Sequence, residues 1–284
     1  MASTRNGSAF LVGLIGAGIG TSLSPALHEH EADALGVRYL YRILDLDELE
    51  VPADAVGELV AAARLAGYDG LNVTHPVKQL VLPHLDELSP EAAEVGAVNT
   101  IVLANGRSVG HNTDRTGFAR AVRTGLPRAA LDRVVLLGAG GAGAAAGHAL
   151  LSLGAGAVEV FDVDAGRAER LAARLVAARA HPLEALADVL AKADGLVHAT
   201  PTGMAGHPGL PLPAGLLRPE LWVADIVYRP LETALLRAAR ERGCEVLDGG
   251  RMTVFQAVDS FRLITGHEPD QDRMLSHFTR ITRR

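Results

Sequence analysis

The sequence predicts an α/β protein of two domains, each built on a mainly parallel sheet, and three observations carry that expectation. Apolar runs bounded by glycine alternate with helical patterns along the chain, the signature of parallel strands joined by crossover helices. A length of 284 residues suits two domains of ordinary size. A linker-like passage, Gly125-Leu-Pro-Arg-Ala-Ala-Leu-Asp132, then separates two blocks of strands and sets a boundary between about residues 114 and 132.

In chain order, strands are predicted at 10–15, 38–44, 69–73, 98–103, 133–137, 157–161, 195–199, 222–226 and 244–247, where apolar runs end at glycine or polar residues. Helices are predicted at 25–35, 53–66, 115–124, 142–153, 166–179 and 231–241. Pro76, Pro127, Pro182, Pro201 and Pro230 fall between these elements, as residues without a backbone donor should. Pro25 instead suits a first helical turn. With Ser22 and Ser24 beside it, the start of that helix reads as an N-terminus that accepts an anion.

Composition narrows the function classes. With 48% apolar and 21% charged residues, the chain lies far from the disordered regime. A net charge of −6 gives no basic footprint for nucleic acid, and 4% aromatic residues give few stacking platforms for single strands. The lone cysteine, Cys244, cannot form an internal disulfide and reads as a small buried hydrophobe in a reducing cytoplasm. The segment 9–20 is interrupted by glycines and preceded only by Arg5, so neither a signal peptide nor a membrane helix is expected. The eleven histidines show no metal-ligand spacing, and no metal is expected. His28 and Glu29 read as capping or exposed groups, and His75 and His111 as structural or supporting residues.

Two glycine clusters invite a dinucleotide reading. Gly16-Ala-Gly18-Ile-Gly20 follows a strand but does not open directly into a helix, so it is set aside. Gly138-Ala139-Gly140-Gly141-Ala142-Gly143 follows the strand at 133–137 and opens an alanine-rich helix. The first glycine permits the tight turn, the second lets the backbone approach a pyrophosphate, and the third allows helix and strand to pack closely. A second strand ends at Asp162, about 20 residues further on, as a Rossmann-like dinucleotide-binding domain requires. A carboxylate there can accept the ribose hydroxyls of NAD and repels the 2′-phosphate of NADP. Asp164 adds a second negative charge, whereas Arg167 could either offset a phosphate or lie along the adenosine. NAD is the expected cofactor, NADP the less favoured one.

Lysine usage marks the chemistry. The chain has two lysines, Lys78 and Lys192, against twenty-five arginines. Arginine cannot release its proton near neutral pH, so a proton-transfer role requires lysine. Lys192 reads as a solvated helix position, whereas Lys78 lies in Asn72-Val-Thr74-His-Pro76-Val-Lys78, directly after a strand. Ligand groups gather at such strand ends in parallel sheets. Gly96-Ala-Val-Asn99-Thr100 and Gly110-His-Asn112-Thr-Asp114 supply two further polar clusters.

Taken together, these motifs resemble the shikimate/quinate dehydrogenase family, in the family's order and over nearly the whole chain. Ser22-Leu-Ser24-Pro25 is similar to its carboxylate-binding motif, Asn72–Lys78 to its lysine motif, and Asn112-Thr-Asp114 to its aspartate motif. Ala199-Thr200-Pro-Thr202-Gly203-Met204, Asp225-Ile-Val227-Tyr228-Arg-Pro230 and Met252-Thr-Val-Phe-Gln256-Ala257 resemble three later motifs. The resemblance implies a substrate domain of residues 1–114 completed by C-terminal helices in 249–284, with a Rossmann domain at 115–248 between them. The family's NADP-using members carry an Asn-Arg-Thr clamp where this chain has Asp162-Val-Asp164, so it is similar to the NAD-preferring quinate/shikimate branch. His28-Glu29 and Arg251 point the same way.

On that resemblance a ring alcohol is oxidised reversibly, with Lys78 accepting the hydroxyl proton and Asp114 beside it as a coupled partner. Ser22 and Ser24 hold the substrate carboxylate, Tyr228 reaches it, and Asn72, Thr74, Asn99 and Gln256 receive ring hydroxyls. Gly138–Ala142, Asp162, Arg167, Thr200, Thr202, Met204, Val227 and Gly250 form the cofactor set. The partner is a small molecule, not nucleic acid or a membrane, and a homodimer is compatible with this reading. Alternatives stay open: an amino-substituted quinate or shikimate as substrate, NADP as the true cofactor, or a non-catalytic dinucleotide-binding sensor.

Overall fold

A computed structural model describes residues 9–282. The chain divides into two units, one formed by residues up to Thr113 and from Ala257 onward, the other by Asp114–Gln256. In chain order the elements are β1 (Ala9–Gly16), α1 (Ser24–Ala34), β2 (Arg38–Asp45), α2 (Val56–Leu65), β3 (Gly70–Val73), β4 (Glu87–Leu88), α3 (Pro90–Val95), β5 (Thr100–Ala104), β6 (Arg107–His111) and α4 (Thr113–Gly125). The remaining elements are β7 (Val134–Leu137), α5 (Gly141–Ser152), β8 (Val158–Phe161), α6 (Ala165–Arg174), β9 (Ala178–Ala180), α7 (Leu186–Leu190), β10 (Gly195–His198), β11 (Trp222–Asp225), α8 (Ala234–Glu241), β12 (Glu245–Leu247), α9 (Gly249–Thr265) and α10 (Gln271–Thr282).

The first unit holds a six-stranded sheet in the order β2-β1-β3-β5-β6-β4. β1 pairs in parallel with β2 and β3, and β4 in parallel with β6, whereas β3–β5 and β5–β6 are antiparallel. The antiparallel hairpin turns at Asn105-Gly106, where both residues take positive φ, the backbone that a two-residue turn between twisted strands demands. α2 lays Val56, Val60 and Ala63 on the sheet, against a core that includes Ile15, Leu71, Val73 and Ile101. The C-terminal part of the chain completes this unit. A Cβ on Gly70 would lie 2.6 Å from Ile264 of α9, so glycine lets that helix approach β3. α10 is fastened to α1 by Arg273, whose Nε and Nη2 donate to the buried carboxylate of Glu31 at 2.8 and 2.6 Å.

The second unit is a wholly parallel sheet in the order β12-β11-β10-β7-β8-β9. Counted from its first strand this is 3-2-1-4-5-6, the doubly wound dinucleotide-binding order. Strands β7, β8, β10 and β11 are buried at every position, as the central strands of a sheet covered on both faces must be.

The helix predicted at 166–179 stops at Arg174. Leu175 is extended, and Ala178–Ala180 instead pairs with β8 as the edge strand β9, so a backbone ladder overrides the helical preference of an alanine-rich stretch. Strands β4, β6 and β9 and helices α3 and α7 are additions of the structure, with no counterpart among the elements predicted from sequence. Lys192 lies exposed in the turn after α7, and Cys244 is buried with its thiol donating to the Arg218 carbonyl at 3.2 Å. Among the described residues, no helix is long and apolar enough to cross a membrane.

Candidate active site

In the first unit the polar groups gather where β1, β3 and β6 end and β5 begins. The Gly16–Gly20 loop after β1 does form an anion nest, but the chain fills it itself. Asp45, at the end of β2, accepts from the backbone N–H groups of Gly18, Ile19, Gly20 and Asp47 at 2.9, 2.6, 2.9 and 3.1 Å. This loop therefore has no free donors there for a phosphate. It leads to Ser22 and Ser24, both half-buried, with Ser22 Oγ 3.3 Å from Ser24 Oγ and accepting from Ser24 N at 3.3 Å.

Asn72 on β3 is buried, and its amide is held from several sides. Oδ1 accepts from the Tyr41 hydroxyl at 2.8 Å, while Nδ2 donates to Ser260 Oγ at 2.8 Å and Thr100 Oγ1 at 3.1 Å. Thr74 is half-buried, and its approach to β1 depends on Gly16, where a Cβ would lie 2.4 Å from Thr74 Cγ2. Lys78 lies in the turn beyond β3, half-buried, with its carbonyl accepting from Val98 N at 2.9 Å. The next residue along that segment, Asn99, clamps the start of α4. Its Nδ2 donates to Thr113 Oγ1, and its Oδ1 accepts from Thr113 N, both at 2.8 Å. Asp114 is the residue after Thr113, in the first turn of α4, and is buried.

The expectation that His28 is a capping or exposed group is overturned. Its ring is 1% exposed, packed among Tyr39, Tyr41 and Phe261, with Nδ1 3.2 Å from the Tyr39 hydroxyl. Desolvation lowers its pKa to about 3, so the ring is neutral at physiological pH. Glu29, one residue on, accepts from Tyr41 N at 2.9 Å. His111 is half-buried, and desolvation lowers its pKa as well.

In the second unit the glycine turn joins β7 to α5. Gly138 has φ +102°, and a Cβ there would lie 2.6 Å from the Ala199 carbonyl. A Cβ on Gly143 would lie 1.9 Å from the Gly138 carbonyl, so the third glycine lets the helix lie against the turn. Gly140, at the helix N-cap, faces open space where a diphosphate can approach the backbone, and Gly141 and Ala142 begin the helix. These residues fit a dinucleotide.

Asp162, beyond β8, accepts from Ala139 N at 2.7 Å and from Asp164 N at 2.9 Å, which fixes the acid beside the glycine turn. Asp164 caps α6 through Arg167 N, and its carboxylate lies 3.5 Å from the Arg167 guanidinium. Both ionisable residues of this turn are thus acids, and the neighbouring arginine is paired with one of them.

The segment after β10 carries Thr200, Thr202 and Met204. Thr200 Oγ1 lies 2.5 Å from His198 Nε2 and accepts from Thr202 N at 3.3 Å, while Met204 is largely exposed. Val227 is buried, its N–H donating to Asp225 at 3.0 Å, and Tyr228 beside it is half-buried. Gly250 is buried at the start of α9, with its N–H on Asp248 at 2.9 Å. Arg251 is exposed, and Gln256 Nε2 donates to the Thr253 carbonyl of its own helix at 2.9 Å. Sequence reasoning missed Asp45, Tyr41 and the His198–Asp225 pair. The one available signal was a histidine closing an apolar strand just before Thr200. Among the described residues, no group of three or more His, Cys, Asp or Glu side chains could hold a metal ion.

The chain is similar to known proteins over nearly its whole length. The family model described as the shikimate dehydrogenase substrate binding domain matches residues 14–101, and that of shikimate / quinate 5-dehydrogenase matches residues 121–204. A shikimate dehydrogenase (NADP(+)) of Streptomyces avermitilis is 62% identical over 96% of each chain. A quinate/shikimate dehydrogenase (NAD(+)) of Corynebacterium efficiens is 47% identical over 96% of this chain and 99% of its own. The structure of quinate dehydrogenase from Corynebacterium glutamicum in complex with NAD superposes with a TM-score of 0.89 at 47% identity, over 96% of this chain and 99% of that one.

Proposed function

This chain belongs to the shikimate/quinate dehydrogenase family, and we propose that it oxidises quinate and shikimate reversibly at a ring secondary alcohol, with NAD as the hydride acceptor. Bound NAD supplies that acceptor, and the chain's own residues bind, orient and move the proton. The first unit binds the substrate and the second the dinucleotide.

Lys78, as a neutral amine, takes the hydroxyl proton as the C–H hydride leaves and the C=O bond forms; in the reverse direction it returns the proton. Asp114 hydrogen-bonds the same hydroxyl beside Lys78. The observation that carries this assignment is the hydrogen-bonded segment Val98-Asn99. Val98 holds the backbone of Lys78, and Asn99 holds Thr113, the residue before Asp114.

Ser22 and Ser24 bind the carboxylate at the start of α1. Thr74, Asn72 and Asn99 meet the ring hydroxyls. Gly138, Ala139, Gly140, Gly141 and Ala142 receive the diphosphate. Thr200, Thr202, Met204, Val227 and Gly250 line the nicotinamide side, with Arg167 along the adenosine. Asp162 accepts the adenosine ribose hydroxyls, and with Asp164 it disfavours a 2′-phosphate.

A second reading, with NADP as the cofactor, draws on the name of the Streptomyces relative. Initial rates with quinate or shikimate, each with NAD and with NADP, test both readings on one preparation. Turnover with NAD exceeding that with NADP is expected. Higher activity with NADP would overturn the role of Asp162, and no turnover in any combination would overturn the ring substrates.

A further inference from the structure

The nucleotide-binding unit contains a buried polar chain that the proposed reaction does not use. His198, at the end of β10, is fully buried, and its Nδ1 lies 2.9 Å from Asp225 Oδ1 at the end of β11. Asp225 is surrounded by donors. Val227 N donates to Oδ1 at 3.0 Å, and the Thr233 hydroxyl donates to Oδ2 at 2.7 Å. Thr233 Oγ1 also accepts from Leu236 N at 3.2 Å as the cap of α8, which leaves its own hydroxyl proton for Asp225 Oδ2.

A carboxylate fed this way acts as an acceptor, so the His198 proton resides on Nδ1. With the proton on Nδ1, Nε2 is an acceptor, and the Thr200 hydroxyl donates to it across 2.5 Å. Thr200 Oγ1 also takes the N–H of Thr202. What remains on the Thr200 oxygen is a lone pair and no proton. This residue sits against the dinucleotide turn, since a Cβ on Gly138 would lie 3.0 Å from Thr200 Cγ2.

We propose that Asp225 and His198 are positioning residues that fix the Thr200 hydroxyl as an acceptor, so that it selects a hydrogen-bond donor on the nicotinamide half of the bound dinucleotide. The inference rests on the dinucleotide reading given above. Two groups on that half carry such donors, the carboxamide N–H and the nicotinamide ribose O–H. Neutral donor and acceptor pairs of this kind change affinity by about tenfold when one partner is lost.

The test uses calorimetric titration of the full-length protein, without substrate, by NAD, the 3-acetylpyridine analogue of NAD and ADP-ribose. Thr200→Val, which replaces the hydroxyl with a methyl group, is expected to weaken NAD binding about tenfold, and Thr200→Ser to retain it. If the carboxamide is the donor, wild type disfavours the acetylpyridine analogue about tenfold, Thr200→Val loses that discrimination, and ADP-ribose is unaffected by the substitution. If the ribose is the donor, Thr200→Val weakens all three ligands alike. A long-range ¹H–¹⁵N correlation spectrum of the wild-type protein reads the His198 tautomer directly and should show the proton on Nδ1. A proton on Nε2, or a Thr200→Val protein that binds all three ligands as wild type does, overturns the proposal. Failure of wild-type protein to bind NAD overturns the dinucleotide reading and this inference with it, whereas NAD binding unchanged by Thr200→Val overturns this inference alone.

Discussion

Lys78 illustrates what a single residue can disclose. Its rarity in an arginine-rich chain and its place after a strand were both visible without coordinates. The structure adds the backbone bond from Val98 that fixes its turn. Replacing Lys78 with Ala is expected to lower turnover by about 10²–10⁴-fold, the usual share of a positioned general base. Replacement with Arg should lower it similarly, because a guanidinium cannot accept the proton. NAD affinity measured by titration should stay within about twofold in both, as no ligand contact is lost in the nucleotide-binding unit. A Lys78→Ala enzyme with wild-type turnover would refute the base assignment. His28 and His198 are the opposite case. A histidine in a string of letters reveals nothing of the Tyr39 hydroxyl or the Asp225 carboxylate that meets it after folding, so their environments were not legible.

At the scale of elements, two glycine turns with similar lettering have different fates, and the sequence distinguishes them by the residues on the C-terminal side of each. The turn at Gly138–Gly143 opens α5, which directs free N–H groups outward. The turn at Gly16–Gly20 does not, and the reason its donors are satisfied lies on another strand, at Asp45. That pairing across 25 or more residues left no local trace. The hairpin of β5 and β6 did leave one, because Asn-Gly between two apolar runs is a strong turn signal. The edge strand β9 left none, since an alanine-rich stretch is a good helix former until a neighbouring strand offers it a ladder. The Asp45 nest should matter for substrate rather than cofactor. Asp45→Ala strips an acceptor from several backbone donors, and Asp45→Asn sets an N–H against those of Ile19 and Gly20. Both should loosen the loop that leads to Ser22 and Ser24. The expected result is a substrate KM raised about tenfold or more with NAD affinity unchanged, read from steady-state rates and direct titration. A substrate KM equal to wild type in both variants would show that the nest serves stability alone.

For the whole molecule, the chain leaves the first unit within α4 and returns within α9, so the first unit is closed by residues more than 140 positions away from Thr113. That closure is polar as well as apolar. Ser260 accepts from Asn72, Arg273 pairs with Glu31, and Phe261 covers His28. No local periodicity assigns these helices to that unit; in the sequence only the motif order of the family resemblance implies it. The same closure adds one buried ring to the groups that make the fold acid-sensitive. The unfolded chain binds a proton at His28 near its ordinary pKa of 6.5, whereas the folded protein resists protonation down to about 3. No carboxylate offsets this, because the groups against the ring are Tyr39, Tyr41 and Phe261, and burial raises the Tyr39 pKa well above 10, keeping its phenol neutral. Above pH 6.5 both states are neutral there and His28 leaves stability independent of pH. As pH falls below 6.5 only the unfolded state takes up the proton, so stability drops by about 1.4 kcal/mol per pH unit until the folded pKa is reached. By pH 4.5 the loss is about 3 kcal/mol. His28→Phe keeps a ring among the aromatic side chains and removes the titration, at the cost of the Tyr39 hydrogen bond, about 1 kcal/mol. Denaturant unfolding from pH 7 to pH 4.5 should therefore show the variant slightly less stable at neutral pH and more stable than wild type at pH 4.5. Parallel pH profiles for the two proteins would mean that His28 is not the group the folded state refuses to protonate.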